Sequence, residues 1–127
     1  MKHFLISIVS ALSILFINST YASTVTIVNQ SSCYCGSIMY SGNPECTIKK
    51  DKATPIQVME NDDTPYGTPI AVGARRLAPI IPGNLVTVRR NGLNTTRKHV
   101  TANKTFYIVT RTIMGVDVAD FEERPRC

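Results

Sequence analysis

The sequence predicts an all-β protein, a small antiparallel β-sandwich or partly open barrel held by two disulfides. Three observations predict it. Short runs rich in Val, Ile and Thr recur at intervals of roughly ten residues, with Gly, Pro and Asn between them. No window past residue 22 carries a convincing 3.6-residue apolar period, apart from a candidate single turn near the C-terminus. Four cysteines, an even number, follow an export signal, so they read as two bridges.

The export signal occupies residues 1–22. Met1-Lys2-His3 supplies a positive start, Phe4 to Ile17 is an apolar run broken only by serines, and Thr20 and Ala22 are the small residues before a cut. The run is short for a membrane span, and cleavage is expected after Ala22. Removing residues 1–22 takes away Lys2 alone among the Lys and Arg, leaving 13 of them against 9 Asp+Glu, a net charge of +4. Residues 23–127 then form one domain, secreted or periplasmic, with no transmembrane segment in the mature chain.

The elements follow in order. Thr24-Val25-Thr26-Ile27-Val28-Asn29 alternates polar with β-branched residues and suits a half-buried strand. Asn29 to Ser32 is expected to break it, with a second short strand from Cys33 to Tyr40. Ser41-Gly42-Asn43-Pro44 is turn chemistry. Pro55 to Glu60 reads as a strand that begins with proline, where the missing N–H matters least. Pro69 to Gly73 and Leu77 to Ile81 are short apolar pieces punctuated by prolines, which suits edge strands. Leu85 to Arg90 ends at Asn91-Gly92, a strong hairpin signal. A two-residue loop there sets Val88 opposite Thr95 and Val86 opposite Arg97, polar against apolar. A longer loop over 91–96, with a strand from Arg97 to Thr101, avoids that conflict and is the expectation. Thr105 to Ile113 is the best strand and is expected to be central. Asp117 to Glu123 is expected to form one helical turn.

The cysteines are Cys33, Cys35, Cys46 and Cys127. A Cys33–Cys35 bond would close a very small, strained ring. Two connectivities remain, Cys33–Cys46 with Cys35–Cys127, or Cys35–Cys46 with Cys33–Cys127. A hairpin centred on residues 41–44 sets Cys46 opposite Met39 and brings it to neither partner, so the loop is longer or Cys46 bonds to a neighbouring strand. One C-x-C pair and two distant singles fit no usual zinc pattern, and no metal or cofactor is expected.

Charge is segregated along the chain. Between Asp63 and Asp117 there is no acidic residue, while Arg75, Arg76, Arg89, Arg90, Arg97, Lys98, Lys104 and Arg111 fall there. If strands 85–90, 97–101 and 105–113 are neighbours, several of these share one sheet face. Arg75, Arg76, Arg89, Arg90, Arg97, Lys98 and Arg111 are therefore the candidate anion-binding residues. The partner is an anionic glycan, a lipopolysaccharide or lipid headgroup, or an acidic protein surface, as for an exported bacterial factor. Past residue 22 there is no Trp, and the aromatics are two Phe and four Tyr. That thin stacking platform leaves nucleic acid possible but not favoured. The acidic loop Glu60-Asn61-Asp62-Asp63 lacks the spacing of a calcium loop.

Catalysis has little to stand on. His99 is the one histidine past residue 22, and no serine sits in a nucleophile-elbow sequence. A small phosphodiesterase or glycan hydrolase would have to use His99 beside Arg97 and Lys98. A protein-interaction or inhibitor module working through an edge strand or loops 65–83 is the other alternative. Asn29-Gln30-Ser31, Asn94-Thr95-Thr96 and Asn103-Lys104-Thr105 match the N-glycosylation pattern.

Overall fold

A computed structural model describes residues 23–37 and 45–127. The expected leader and the expected turn at 41–44 lie outside the described residues.

The molecule is organised on β1 (Thr24–Ser37), which runs straight through the expected break at Asn29 to Ser32. The reason lies in how those polar residues are satisfied. Asn29 is buried, and its side-chain amide donates to the carbonyls of Thr54 and Ile70, each at 2.9 Å. Its Oδ1 accepts from the backbone N–H of Ser31 at 3.0 Å. The buried Ser31 hydroxyl bonds the carbonyl of Thr54 and accepts from its N–H, both at 2.9 Å. The segment is a bulge whose missing ladder bonds are replaced by side-chain bonds to a crossing stretch of chain.

The other strands are β2 (Thr47–Ile48), β3 (Gln57–Met59), β4 (Arg75–Pro79), β5 (Val86–Arg90), β6 (Leu93–Arg97), β7 (Thr105–Ile113) and β8 (Val116–Glu122). One sheet runs β2-β1-β7-β8, with β4 also pairing β1; the second is β3-β5-β6. The fold is an all-β arrangement of two sheets, not closed into a barrel. The β1–β7 pair is parallel, whereas every other strand pair is antiparallel. β7 is central, as expected, lying between β1 and β8. β4 carries Pro79 and pairs only with β1, the edge role its prolines suggested.

Between the sheets, Val25, Ile27, Phe106, Ile108, Ala119 and Phe121 pack against Ile56, Val58, Val86 and Val88. Phe106 and Phe121 meet edge to face at 5.9 Å, a favourable ring geometry.

Two expectations give way. The Asn91-Gly92 hairpin is the two-residue loop after all, with Val88 opposite Thr95 and Val86 opposite Arg97. Asn91 and Gly92 sit at φ 48° and 82°, the left-handed pair that a type I′ turn requires. The polar residues are tolerated because β6 is an edge: Arg97 lays its guanidinium 5.2 Å from the Phe106 ring centroid. Residues 117–123 form no helical turn; Val116 to Glu122 is β8, paired to β7 from Tyr107↔Glu122 to Ile113↔Val116. Met114 and Gly115, at φ 48° and 80°, make the connecting turn.

The disulfides are Cys33–Cys127 and Cys35–Cys46, the second of the two open pairings. Cys33 opposes Ile48 and Tyr34 opposes Thr47. Continuing that register sets Cys46 across from Cys35, with Cα atoms 4.1 Å apart.

Asn29→Ala removes the donor to two buried carbonyls and the acceptor for one N–H. It should cost about 3 kcal/mol, read as a lower urea midpoint at unchanged slope. A midpoint within about 0.5 kcal/mol of the parent would show that the bulge does not depend on this side chain.

Candidate functional site

The seven candidate cations do not come together. Strand 105–113 belongs to one sheet and strands 86–90 and 93–97 to the other, so alternation sends their side chains to different surfaces. Arg75 is exposed on the β4 edge. Next to it, Arg76 is turned to the 65–70 loop, where its guanidinium bonds the Thr68 carbonyl and, at 3.0 Å, the Thr68 hydroxyl. On the second sheet Arg89 bonds Asn94 at 2.7 Å and the Asp62 carbonyl at 2.5 Å. Arg97 pairs with Glu123 at 2.8 Å. Lys98 is exposed in the loop after β6.

The remaining two are tied up by neighbouring strands, Arg111 on the outer face of its sheet and Arg90 on the inner side of the other. Arg111 is held by Asp120 and Glu122 and donates to the Cys35 carbonyl at 3.0 Å. Register places Val118 opposite Arg111, so Asp120 stands diagonally across on the same face. Arg90 follows Val86 and Val88 on the inward side of β5 and is only 3 % exposed. Its Nη1 donates to the Thr110 hydroxyl at 2.7 Å, and that hydroxyl donates to the Ser31 carbonyl at 2.6 Å. Its Nη2 lies 3.9 Å from Asp117. Its Nε finds no partner among the described residues.

Asp117 is the hub of this end of the sandwich. It accepts from Lys52 at 2.9 Å and from Thr112 at 3.1 Å, while Thr112 also meets the Tyr34 hydroxyl at 2.8 Å. The ammonium groups of Lys49 and Lys52 sit 4.5 Å and 5.5 Å from the Tyr34 ring centroid. Burial pushes the Asp117 carboxyl up. The hydrogen bonds from Lys52 and Thr112 and the charges of Lys52 and Arg90 together outweigh it, so the group is held below its ordinary value. The bond to Asp117 raises the Lys52 ammonium, against a smaller opposing effect of desolvation. Desolvation lowers the Arg90 guanidinium, partly offset by the Asp117 charge. No residue of this cluster except Arg90 was singled out from sequence, because Lys52, Tyr34 and Asp117 are brought together only by strand pairing.

A second feature is the open side of the sandwich. β6 and β8 are the outer strands of their sheets; they run beside each other without pairing. Between them is a groove of ≈ 360 Å³ lined by Leu93, Thr95, Ile113, Val118 and Ala119 among others. Leu93 in its lining is 44 % exposed, and two further apolar residues are exposed nearby in sequence, Met114 in the turn before β8 at 89 % and Val116 at the start of β8 at 49 %. These residues were not candidates from sequence. The only signals for them were Gly92 and Gly115, which end both strands with two-residue turns and leave apolar residues at the tips.

His99 is exposed, at φ 58°, and makes no side-chain hydrogen bond among the described residues, so nothing orients it as an acid or base. The sulfurs of Cys33, Cys35 and Cys46 lie within 4.8 Å of one another. All are in disulfides and offer no thiolate to a metal. Among the described residues no helix is long and apolar enough to cross a membrane. Of the three glycosylation patterns, Asn29 is buried, Asn94 donates to the Asp62 carbonyl at 3.0 Å, and Asn103 is exposed in a turn at φ 66°.

No protein-family model, curated protein or solved structure matches this chain.

The Asp117 cluster has a pH signature. A carboxyl held below its ordinary 3.8 contributes stability that is present above that pH and is lost as pH falls through the lower folded value. The raised Lys52 contributes below its ordinary 10.5, and that part is lost only as pH rises through the higher folded value. Asp117→Asn should lower the urea midpoint at neutral pH. It should also flatten the midpoint's fall between about pH 4 and pH 2. An acid limb as steep as the parent's would remove Asp117 from that role.

Proposed function

We propose that this chain is a non-catalytic binding module of an exported protein that engages another protein chain through the seam between β6 and β8. The observation that carries the reading is two strand edges side by side, neither paired to a further strand among the described residues, with exposed apolar residues at their first positions, Leu93 and Val116, and Arg97 reaching the Phe121 carbonyl and Glu123 at the other end. Free edges are usually blunted by charge, proline or short length, because they invite pairing with another strand. The β4 edge carries such protection in Arg75, Arg76 and Pro79. The β6–β8 side instead presents Leu93, Met114 and Val116. An extended segment added along an edge gains main-chain bonds and places alternate side chains in the adjoining groove. Met114, with its flexible thioether, adapts to varied partners.

A peptide library displayed on phage tests this without a known partner. Selection on the parent should enrich a motif of alternating apolar residues, and Leu93→Asp/Val116→Asp should lose it while keeping the parent's melting temperature. Equal recovery of the motif by the double variant, or no enriched motif, would overturn the seam.

A second reading rests on Lys98, His99 and Lys104, which share one loop, are exposed, and make no ion pair among the described residues. With Arg75 on the β4 edge, they are the part of the basic window left facing water, for an anionic glycan, a lipid headgroup or an acidic protein surface. On immobilised heparin, Lys98→Ala/Lys104→Ala should elute at clearly lower salt than the parent, because charge-led binding weakens steeply with ionic strength. An unchanged elution position would rule this loop out.

A further inference from the structure

The two disulfides are stacked against each other. Cys33 and Cys35 are two residues apart on β1 and therefore share a face, where they pack on Val109. Cys46 stands across from Cys35 on the neighbouring strand. The sulfurs of Cys33, Cys35 and Cys46 are consequently all within 4.8 Å of one another, although only Cys35 and Cys46 of the three are bonded together. Access is uneven. Cys33 and Cys35 are fully buried and Cys46 half-buried, whereas Cys127 is exposed. The sulfur of Cys127 is thus the one that a thiol in solution reaches most readily.

We propose that this cluster is a thiol–disulfide exchange centre. An external thiol opens it at Cys127, and it then converts Cys33–Cys127 with Cys35–Cys46 into Cys33–Cys46 with Cys35–Cys127. In the first step the external thiolate attacks the Cys127 sulfur. A mixed disulfide forms there, the Cys33–Cys127 bond breaks, and Cys33 leaves as a thiolate. In the second step the Cys33 thiolate attacks the Cys46 sulfur, a Cys33–Cys46 bond forms, and Cys35 leaves as a thiolate. In the third step Cys35 attacks Cys127 in the mixed disulfide and expels the external thiol as a thiolate. No electrons are gained or lost overall, and the external thiol is recovered. Attack of Cys33 on Cys35 instead would close the small strained ring, so the exchange is directed to Cys46. While the mixed disulfide lasts, the segment around Cys127 is held to the fold by non-covalent contacts, the Arg126–Glu122 ion pair among them. The outer face around Val109 and Arg111 is then able to open.

Cys127→Ser leaves Cys33 unpaired beside the Cys35–Cys46 bond and tests the second step alone. The folded variant is trapped with N-ethylmaleimide in acidic urea and cut with chymotrypsin after Tyr34 and Tyr40, which separates the three cysteines. The label should be divided between Cys33 and Cys35, with Cys33 joined to Cys46 in the second population. Label confined to Cys33, or found on Cys46 in place of Cys35, overturns the proposal. Should this variant not fold, the parent protein is incubated with substoichiometric reduced glutathione in native buffer and mapped in the same way. Cys33–Cys46 and Cys35–Cys127 links are then expected. Retention of the original pairing alone, or a Cys33–Cys35 link of the kind a scrambling unfolded chain makes, overturns it.

Discussion

The parallel pairing of β1 with β7 is the constraint from which the rest of this structure follows. Parallel neighbours need a long crossover, and here the crossover is everything from β2 to β6, which supplies the whole second sheet. The pairing is not uniform. Between Asn29↔Ile108 and Tyr34↔Thr110 the register shifts, so that β1 spends five steps where β7 spends two. This odd number of extra residues reverses which side chains face inward. Asn29 points into the sandwich, Tyr34 also points inward toward Thr112, and Cys33 and Cys35 turn to the outer face. Without the bulge the alternation would drive both cysteines into the core. The Cys33–Cys127 bridge, across a separation of 94 residues, exists because of that reversal. In the chain-entropy view such a loop closure is worth about 4 kcal/mol.

The same geometry explains the fate of the charges. A basic window in the sequence becomes a basic face only if its strands lie in one sheet and its side chains share one parity. Here β7 is separated from β5 and β6, and the acids that follow the window return on β8 as direct neighbours of β7. Arg111 is neutralised by Asp120 and Glu122, and Arg90 is buried beside Thr110 within reach of Asp117. Both arginines have become internal braces between strands. A buried arginine with a partner at each end is costly to disturb, because removing one partner strands the charge. What remains outward is a thin set of cations, Lys98 and Lys104 at a loop and Arg75 on the β4 edge, with exposed apolar residues in and beside the opposite turns.

The two-sheet all-β class, the edge role of the proline-bearing strand, the central position of residues 105–113 and the even pairing of cysteines are all legible in the amino-acid order. These rest on local chemistry: β-branched alternation, turn residues and cysteine number. The misreadings have local causes too. Asn29 to Ser32 reads as a break because it is a run of polar residues, yet the side chains of Asn29 and Ser31 are taken up by the backbone of Thr54 and Ile70. Residues 117–123 looked helical because Asp and Glu are weak strand formers, yet β7 pairs six of them, Asp117 to Glu122. The two-residue Asn91-Gly92 hairpin sets polar against apolar residues, a mismatch that an edge strand such as β6 does not have to resolve.

The candidate site divides along the same line. The amino-acid order alone determined that Cys33 and Cys35 could not bond each other without strain, that Asn91-Gly92 would turn, and that a run of basic residues would meet no acid nearby in sequence. Only the tertiary structure decided that Cys46 faces Cys35, that Arg90 is inside, and that Leu93, Ile113 and Val118 line a groove between β6 and β8. The reason is physical. Turn geometry and ring strain act over a few bonds and are written in neighbouring residues. Strand register and sheet membership are set by which distant partners bury the most surface with every polar group satisfied.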